Sequence, residues 1–314
     1  MSAAPRVLIL MATRNGARFL PEQLDSIARQ DMADWALHVG DDGSDDGTRR
    51  IVAAFAARPP ARDIRLHEGP RRGAATNFLS LLARPDLPLG PHTLVAFADQ
   101  DDIWLPGKLA RALALLQAAG PGPAIHGAQS LHVDVRGRVL GRSRPPAGKV
   151  TLARAMVRTP VSGHSLVLDP AATALARSAG VPAVPFHDWW LVLLILACGG
   201  RAVIDDEVVL HYRQHGDNVL GGNRGVRAAR RRLGLVLRGD WGRWTAANLD
   251  ALDDIRRPGG TMVLTPEACA LLDALAAAPR RGRGRVLALA RLGLRRERHL
   301  QDALLAFAAW SGRV

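Results

Sequence analysis

Apolar and polar positions along the first hundred residues alternate between two patterns. Residues 7–12 are an unbroken apolar run, as in a strand covered on both faces. Residues 18–29 then set Phe19, Leu20, Leu24 and Ile27 at helical spacing. The alternation continues with strand 35–39 and helix 48–57, strand 63–67 and helix 74–83, strand 93–98 and helix 108–118. Ser44 or Asp45 stands where it can cap the second helix. Such alternation predicts an α/β fold, a mainly parallel sheet with helices on both faces. Ligands of these sheets bind beyond the carboxyl ends of the strands. Polar clusters at 13–16, 41–46 and 99–102 follow three of those ends.

Beyond residue 120 the pattern predicts a strand over 124–135 that turns at Arg136-Gly137 and returns over 138–140. A strand over 161–168, a helix over 170–178, an apolar helix over 187–198 and strands over 202–204 and 208–212 follow. After Gly221-Gly222 come Arg-rich helical segments, broken near Gly239, Pro258-Gly259-Gly260, Pro279 and Gly282 to Gly284. The chain therefore reads as an α/β body over 1–222 and a basic, mostly helical C-terminal extension over 223–314.

Charge sharpens that division. The net charge is +13, but residues 1–220 hold 24 basic and 21 acidic side chains, while 221–314 hold 18 and 8. The excess belongs to the extension. It suits either a solvated helical cap or attachment to an anionic membrane surface. The cysteines, Cys198 and Cys269, have no CxxC partner, which argues against a disulfide framework and points to a reducing, cytoplasmic compartment. The apolar runs at 7–12 and 191–198 fall well short of the roughly 18 residues a span needs. The first also lacks a signal-peptide cleavage segment.

Asp99-Gln100-Asp101-Asp102 gathers three carboxylates at a strand end, where repulsion and desolvation oppose them. A divalent cation, Mg²⁺ or Mn²⁺, would offset both. Residues 41–48 resemble a calcium loop until the twelfth position, where Ala53 stands in place of the required Glu. Asp41 or Asp42 is instead suited to accept from a pyrimidine N3–H. His187-Asp188-Trp189-Trp190 joins a carboxylate to two indoles on which a sugar could stack. Arg213 and His215, in a polar run ending at Asn218, could meet phosphate.

Together, Thr13-Arg14-Asn15-Gly16, Asp41 to Thr48, Asp-Gln-Asp-Asp-Ile-Trp at 99–104, His187 to Trp190, and Tyr-Arg-Gln-His-Gly-Asp-Asn at 212–218 resemble the family-2 inverting glycosyltransferases of the Rossmann-like GT-A fold. The fullest likeness is to their rhamnosyltransferase-like branch, which builds bacterial surface polysaccharides. The resemblance covers about residues 6–222. It implies a dTDP- or UDP-linked sugar donor, an acceptor glycan or lipid-linked saccharide, and a location in the cytoplasm or on the inner face of the plasma membrane. It implies that Thr13, Arg14, Asn15, Asp41, Asp42, Gly73, Asn77, Asp101, Trp104, Arg213 and His215 bind the donor. Asp101, Asp102 and His215 would hold the metal, Asp188 would be the general base, and His187, Trp189 and Trp190 would face the acceptor.

The chain departs from the pattern in three places: Arg14 replaces an aromatic residue, Arg71-Arg72 stand where Asn is commoner, and His187 replaces an acidic residue. A nucleotidyltransferase would need a Gly- and Lys/Arg-rich triphosphate loop, which 13–16 is too short to form. A nucleic-acid-binding role for the Arg-rich extension would leave the carboxylates at 99–102 without a purpose, so no nucleic-acid partner is expected.

Overall fold

The computed structural model describes residues 6–60, 62–215, 233–257, 262–296 and 299–314. Features assigned from sequence to 216–218, 221–222, 224–232, 258–260 and 297–298 lie outside the described residues.

β1 (Val7–Thr13) lies inside the sheet, where its alternating side chains serve two cores. Val7, Ile9 and Met11 meet α1 (Leu20–Ala28), α2 (Thr48–Ala56) and α4 (Lys108–Ala118). Leu8, Leu10 and Ala12 meet α3 (Ala74–Leu82), α6 (Pro170–Ser178) and α7 (His187–Ala197). β2 (Trp35–Asp41), β3 (Ile64–Glu68) and β4 (Leu94–Ala98) complete a parallel half in the order β3-β2-β1-β4. The sheet continues through β8 (Val167–Leu168), β6 (Ala124–Val133), β9 (Arg201–Arg213) and β5 (Ile103–Trp104), with β7 (Val139–Arg142) on β6. β8 runs antiparallel to both β4 and β6, and β6 and β9 are parallel.

Several expectations change in detail. The expected strand over 161–168 survives only as β8. Ahead of it the chain turns through a 3₁₀ segment, Gly163–Ser165, closed by the Ser165 amide and hydroxyl donating to the Ser162 carbonyl. The two strands expected over 202–212 are one, β9, whose register against β6 shifts around Gln129. Neither Ser44 nor Asp45 caps α2: its N-cap is Gly47, which has no side chain to cap it, and the Asp46 carboxylate just before it accepts from the Thr48 amide at 2.8 Å. Ser44 and Asp45 instead fasten the loop after β1, because the Asn15 amide donates to Ser44 Oγ and the Asp45 amide to Asn15 Oδ1. β5 and the short α5 (Leu152–Ala155) carry too little periodicity to be seen in sequence.

The C-terminal helices are α8 (Asp240–Arg256), α9 (Pro266–Ala277), α10 (Gly282–Arg291) and α11 (His299–Trp310). A break occurs at Gly239 as expected, but α10 runs through Gly284 and ends before Gly293, which has a positive φ. Leu252, Leu272, Leu289 and Leu305 bury in the same core as Trp190 of α7. None of the helices described is long and apolar enough to cross a membrane.

Candidate active site

The loops after β1, β2 and β4 and the start of α7 gather the polar residues. Gly16 and Ala17 donate through their amides to Thr48 Oγ1 and Asp46. On the other side, the Gln100 amide group accepts from the Arg14 N–H and donates to the Arg14 carbonyl. A Cβ at Gly16 would collide with the Gln100 side chain, so glycine lets the two loops close on each other. Gln100 was not singled out from sequence. The only available signal was its place between two aspartates.

Asp41 is fully buried. Ser44 Oγ donates to it at 2.5 Å, Thr13 Oγ1 at 3.3 Å, and the Arg49 guanidinium lies at 3.5 Å. Asp42 accepts from the Arg71 amide at 2.6 Å and the Gly73 amide at 2.8 Å. It thereby shapes the loop ahead of α3, where Gly73 takes φ +89° with open space around its Cβ position. The backbone conformation there, rather than lack of room, calls for glycine. Asn77 is buried and donates to the Gly40 carbonyl at 2.7 Å, tying α3 to β2. Arg14 and Asn15 remain exposed at the edge of this group.

The carboxylates after β4 fall into two sets. Asp101 Oδ2 lies 2.6 Å from His215 Nε2. Asp102 and Asp99 instead face His164, at 3.6 and 3.8 Å, and ligand atoms of these three lie within 4.8 Å of one another. The sequence grouping of Asp101, Asp102 and His215 is thus divided, and His164 enters as a residue that sequence reading missed. Both Asp102 oxygens are buried without a hydrogen-bond partner among the described residues. Desolvation drives its carboxyl well above the usual range. It likewise raises Asp101, assisted by the charge of Asp99. Desolvation also acts on Asp99, but the His164 imidazole outweighs it and holds that carboxyl low. Burial works against the His164 cation, yet Asp102 and Asp99 raise its pKa. Burial brings Lys108 down to about 7. Buried carboxylate oxygens beside a borderline imidazole nitrogen form an O,O,N donor set that could hold a divalent cation.

Asp188 is half-buried in the first turn of α7. Its Oδ2 accepts from the Gly163 amide at 3.0 Å and its Oδ1 from the Trp189 amide at 2.7 Å. The 3₁₀ turn therefore touches both groups: Gly163 holds Asp188, and His164 faces Asp99 and Asp102.

Five residues assigned to ligands take internal roles. Trp190 is fully buried, and Trp189 donates its indole N–H to the Ala155 carbonyl at 2.6 Å. α7 is apolar on nearly every face, so these rings fill the core and offer no surface to a sugar. His187 is buried with its ring 4.1 Å from Phe78 and 5.4 Å from Phe97, and burial lowers its pKa. Trp104 is buried beneath the Lys108 ammonium, 3.5 Å from its ring centroid. Arg213 is buried, donating to the Asp101 carbonyl at 3.1 Å and to Glu22 at 2.5 Å, so it braces the acidic loop.

Residues 8–138 match the family described as Glycosyl transferase family 2. A dTDP-rhamnosyl transferase, RfbG of Shigella flexneri, is 28% identical over 234 residues, 74% of this chain and 80% of that protein. The mannosyltransferase PcManGT of Pyrobaculum calidifontis, solved with GDP-Man and Mn²⁺, superposes with a TM-score of 0.55 at 22% identity, covering 99% of this chain and 86% of that one. TarS 1-349 of S. aureus, solved with UDP-GlcNAc, gives 0.56 at 15% identity, over 96% and 89%. Over residues 8–138 the chain matches a family 2 glycosyltransferase domain, and its fold is the GT-A fold of these solved neighbours.

Proposed function

We propose that this glycosyltransferase moves rhamnose, with inversion, from a dTDP- or UDP-linked donor to a hydroxyl of a surface-polysaccharide or lipid-linked saccharide. The observation that carries the reading is the Gly163–Ser165 turn, which couples Asp188 to the carboxylates at the end of β4. A proton acceptor and a diphosphate-binding end are thereby held in a fixed relation. The rhamnosyl choice is supported by the name of the Shigella relative, and a nucleotide-sugar donor by the ligands named for the two solved neighbours.

In this mechanism Thr13, Arg14 and Asn15 flank the base, and Asp42, with Asp41 behind it, accepts from the base N3–H. Asp188 takes the proton of the acceptor hydroxyl as that oxygen bonds to the anomeric carbon. The bond from that carbon to the diphosphate oxygen breaks on the opposite face. We assign Mg²⁺ or Mn²⁺ to the end of β4, where Asp99, Asp102 and His164 converge and Asp101 meets His215. When bound, the cation neutralises charge on the leaving diphosphate.

A thermal-shift panel of nucleotide sugars on the full chain tests the donor. The largest stabilisation is expected with dTDP-rhamnose in Mn²⁺, and a chelator is expected to abolish most of it. Preference for GDP-mannose would overturn the donor assignment, and indifference to chelator would overturn the metal.

The extension is assigned to an anionic membrane surface. Leu300, Phe307 and Trp310 form an exposed apolar stripe on α11, Trp310 being 57% exposed. Just beyond it, a Cβ at Gly312 would meet the Arg281 side chain at 3.3 Å. Apolar anchors beside cations suit the interface of an anionic bilayer. Liposome flotation at low salt is expected to carry the protein with anionic vesicles and leave it behind with neutral ones. Equal recovery with both would remove the assignment.

A further inference from the structure

α1 and its N-cap, Phe19, supply none of the residues assigned above to a substrate, yet one face of this helix underlies the segment that follows β4. Phe19, Glu22 and Ser26 recur at i, i+3 and i+7, which places them on that face. Ser26 Oγ accepts from the Trp104 amide at 2.9 Å, and Gln30, just past the helix, donates to the Leu105 carbonyl at 2.8 Å. The two residues nearest the helix start reach the end of β9 instead. The centroid of the Phe19 ring lies 4.7 Å from the Arg213 guanidinium carbon and 4.9 Å from the centroid of the His215 ring. The exposed Arg18 is a third neighbour of that ring, at 4.8 Å. Glu22 Oε2 accepts from Arg213 Nη2 at 2.5 Å.

We propose that Phe19 and Glu22 are positioning residues for the donor diphosphate, seating Arg213 and His215 against the acidic loop and tying that seat to the loop that flanks the base. The proposal rests on the reading of this site as one for a nucleotide sugar. Arg213 is buried, so its contacts with the aromatic face and the carboxylate are little screened by solvent. Its planar guanidinium makes three directed contacts at once: the Phe19 ring, Glu22 and the Asp101 carbonyl. His215 shares the ring and meets the Asp101 carboxylate at 2.6 Å.

These contacts close a ring around the site. The Phe19 and Leu20 amides both donate to the Gly16 carbonyl at 3.0 Å, so the seat begins three residues beyond the base loop. Arg14 of that loop exchanges two hydrogen bonds with Gln100, at 2.9 and 3.1 Å. Gln100 adjoins Asp101, and Asp101 leads back through His215 and Arg213 to Phe19. The bonds to Gly16 and Arg14 run through backbone groups of the loop and survive a change of the Phe19 side chain. Loss of the aromatic face therefore loosens the diphosphate end and leaves the base end in place.

The experiment compares a nucleoside diphosphate with its nucleoside, which lacks the phosphates. Calorimetry on the full chain with Mn²⁺ would use whichever of dTDP, UDP and GDP the wild type prefers, and NMR titration would use the matching nucleoside. In Phe19→Leu the diphosphate is expected to lose about fivefold or more in affinity, and the nucleoside about twofold at most. Glu22→Gln is expected to cost the diphosphate about threefold, a smaller loss because the Glu22 side chain is 60% exposed. Phe19→Tyr keeps the ring and is expected to bind as the wild type does. Wild-type diphosphate affinity in Phe19→Leu would overturn the proposal. So would equal losses of diphosphate and nucleoside, which mark a merely structural role, or a Tyr variant as weak as the Leu variant. Should Phe19→Leu not fold, Glu22→Gln decides by the same comparison. A wild type that binds none of the three diphosphates would sink the nucleotide-sugar reading and this role with it, whereas unchanged variants of a binding wild type sink only this role.

Discussion

Asp188→Asn is expected to lower turnover by about 10²–10⁴-fold, the usual contribution of a positioned general base. Asparagine keeps the volume and can still accept from either the Gly163 or the Trp189 amide. It cannot satisfy both as the carboxylate does, and it cannot take a proton from an acceptor hydroxyl. Donor affinity is expected to hold within about twofold, because the nucleotide-side contacts lie on β1, β2 and the loop before α3. Steady-state rates together with donor thermal shifts decide the matter. A loss of donor affinity as large as the loss of rate would make Asp188 a binding residue and leave the base unidentified.

The second large effect is expected at Gly163, a residue with no side chain of its own to ionise. A Cβ there would lie 2.6 Å from His187 Nε2 and 3.5 Å from Asp188 Cβ. His187 cannot retreat easily, since its ring is enclosed by Phe78 and Phe97. Gly163→Ala should therefore shift the turn against the start of α7 and displace Asp188 from the carboxylates that His164 faces. Misplacement of about 1 Å costs on the order of 10²-fold in rate. The rate is expected to fall by about that factor with kcat, not KM, carrying the change. Full activity in Gly163→Ala would show that the turn does not set the position of Asp188.

The parallel half of the molecule was legible from sequence because each strand there is a buried run with a periodic helix behind it. β1, β2 and β4 end where the polar clusters begin, so the candidate site could be placed from pattern alone. The reversed half was less so. β8 is two residues long and β5 two more, too short for any period to register. His164 looked like one histidine in an apolar stretch, and only the turn of the chain brings it to Asp99 and Asp102. The opposite error occurred at Trp189 and Trp190, where polar neighbours in sequence suggested an open site. α7 passes instead through the larger core among the described residues, and in its first turn only Asp188 escapes burial.

β8 joins the two halves through few rungs: Val167 and Leu168 pair with Ala96 and Val95 on one side and with His126 and Ile125 on the other. The loops assigned to the nucleotide hang from one half, while the 3₁₀ turn, α5 and α7 belong to the other. The hydrogen-bonded seam is narrow, but the side chains of α3 and α7 meet in one core across it. A family member that exchanged the segment from α5 to β9 would have to re-match that core before it could take a new acceptor with the old sugar donor.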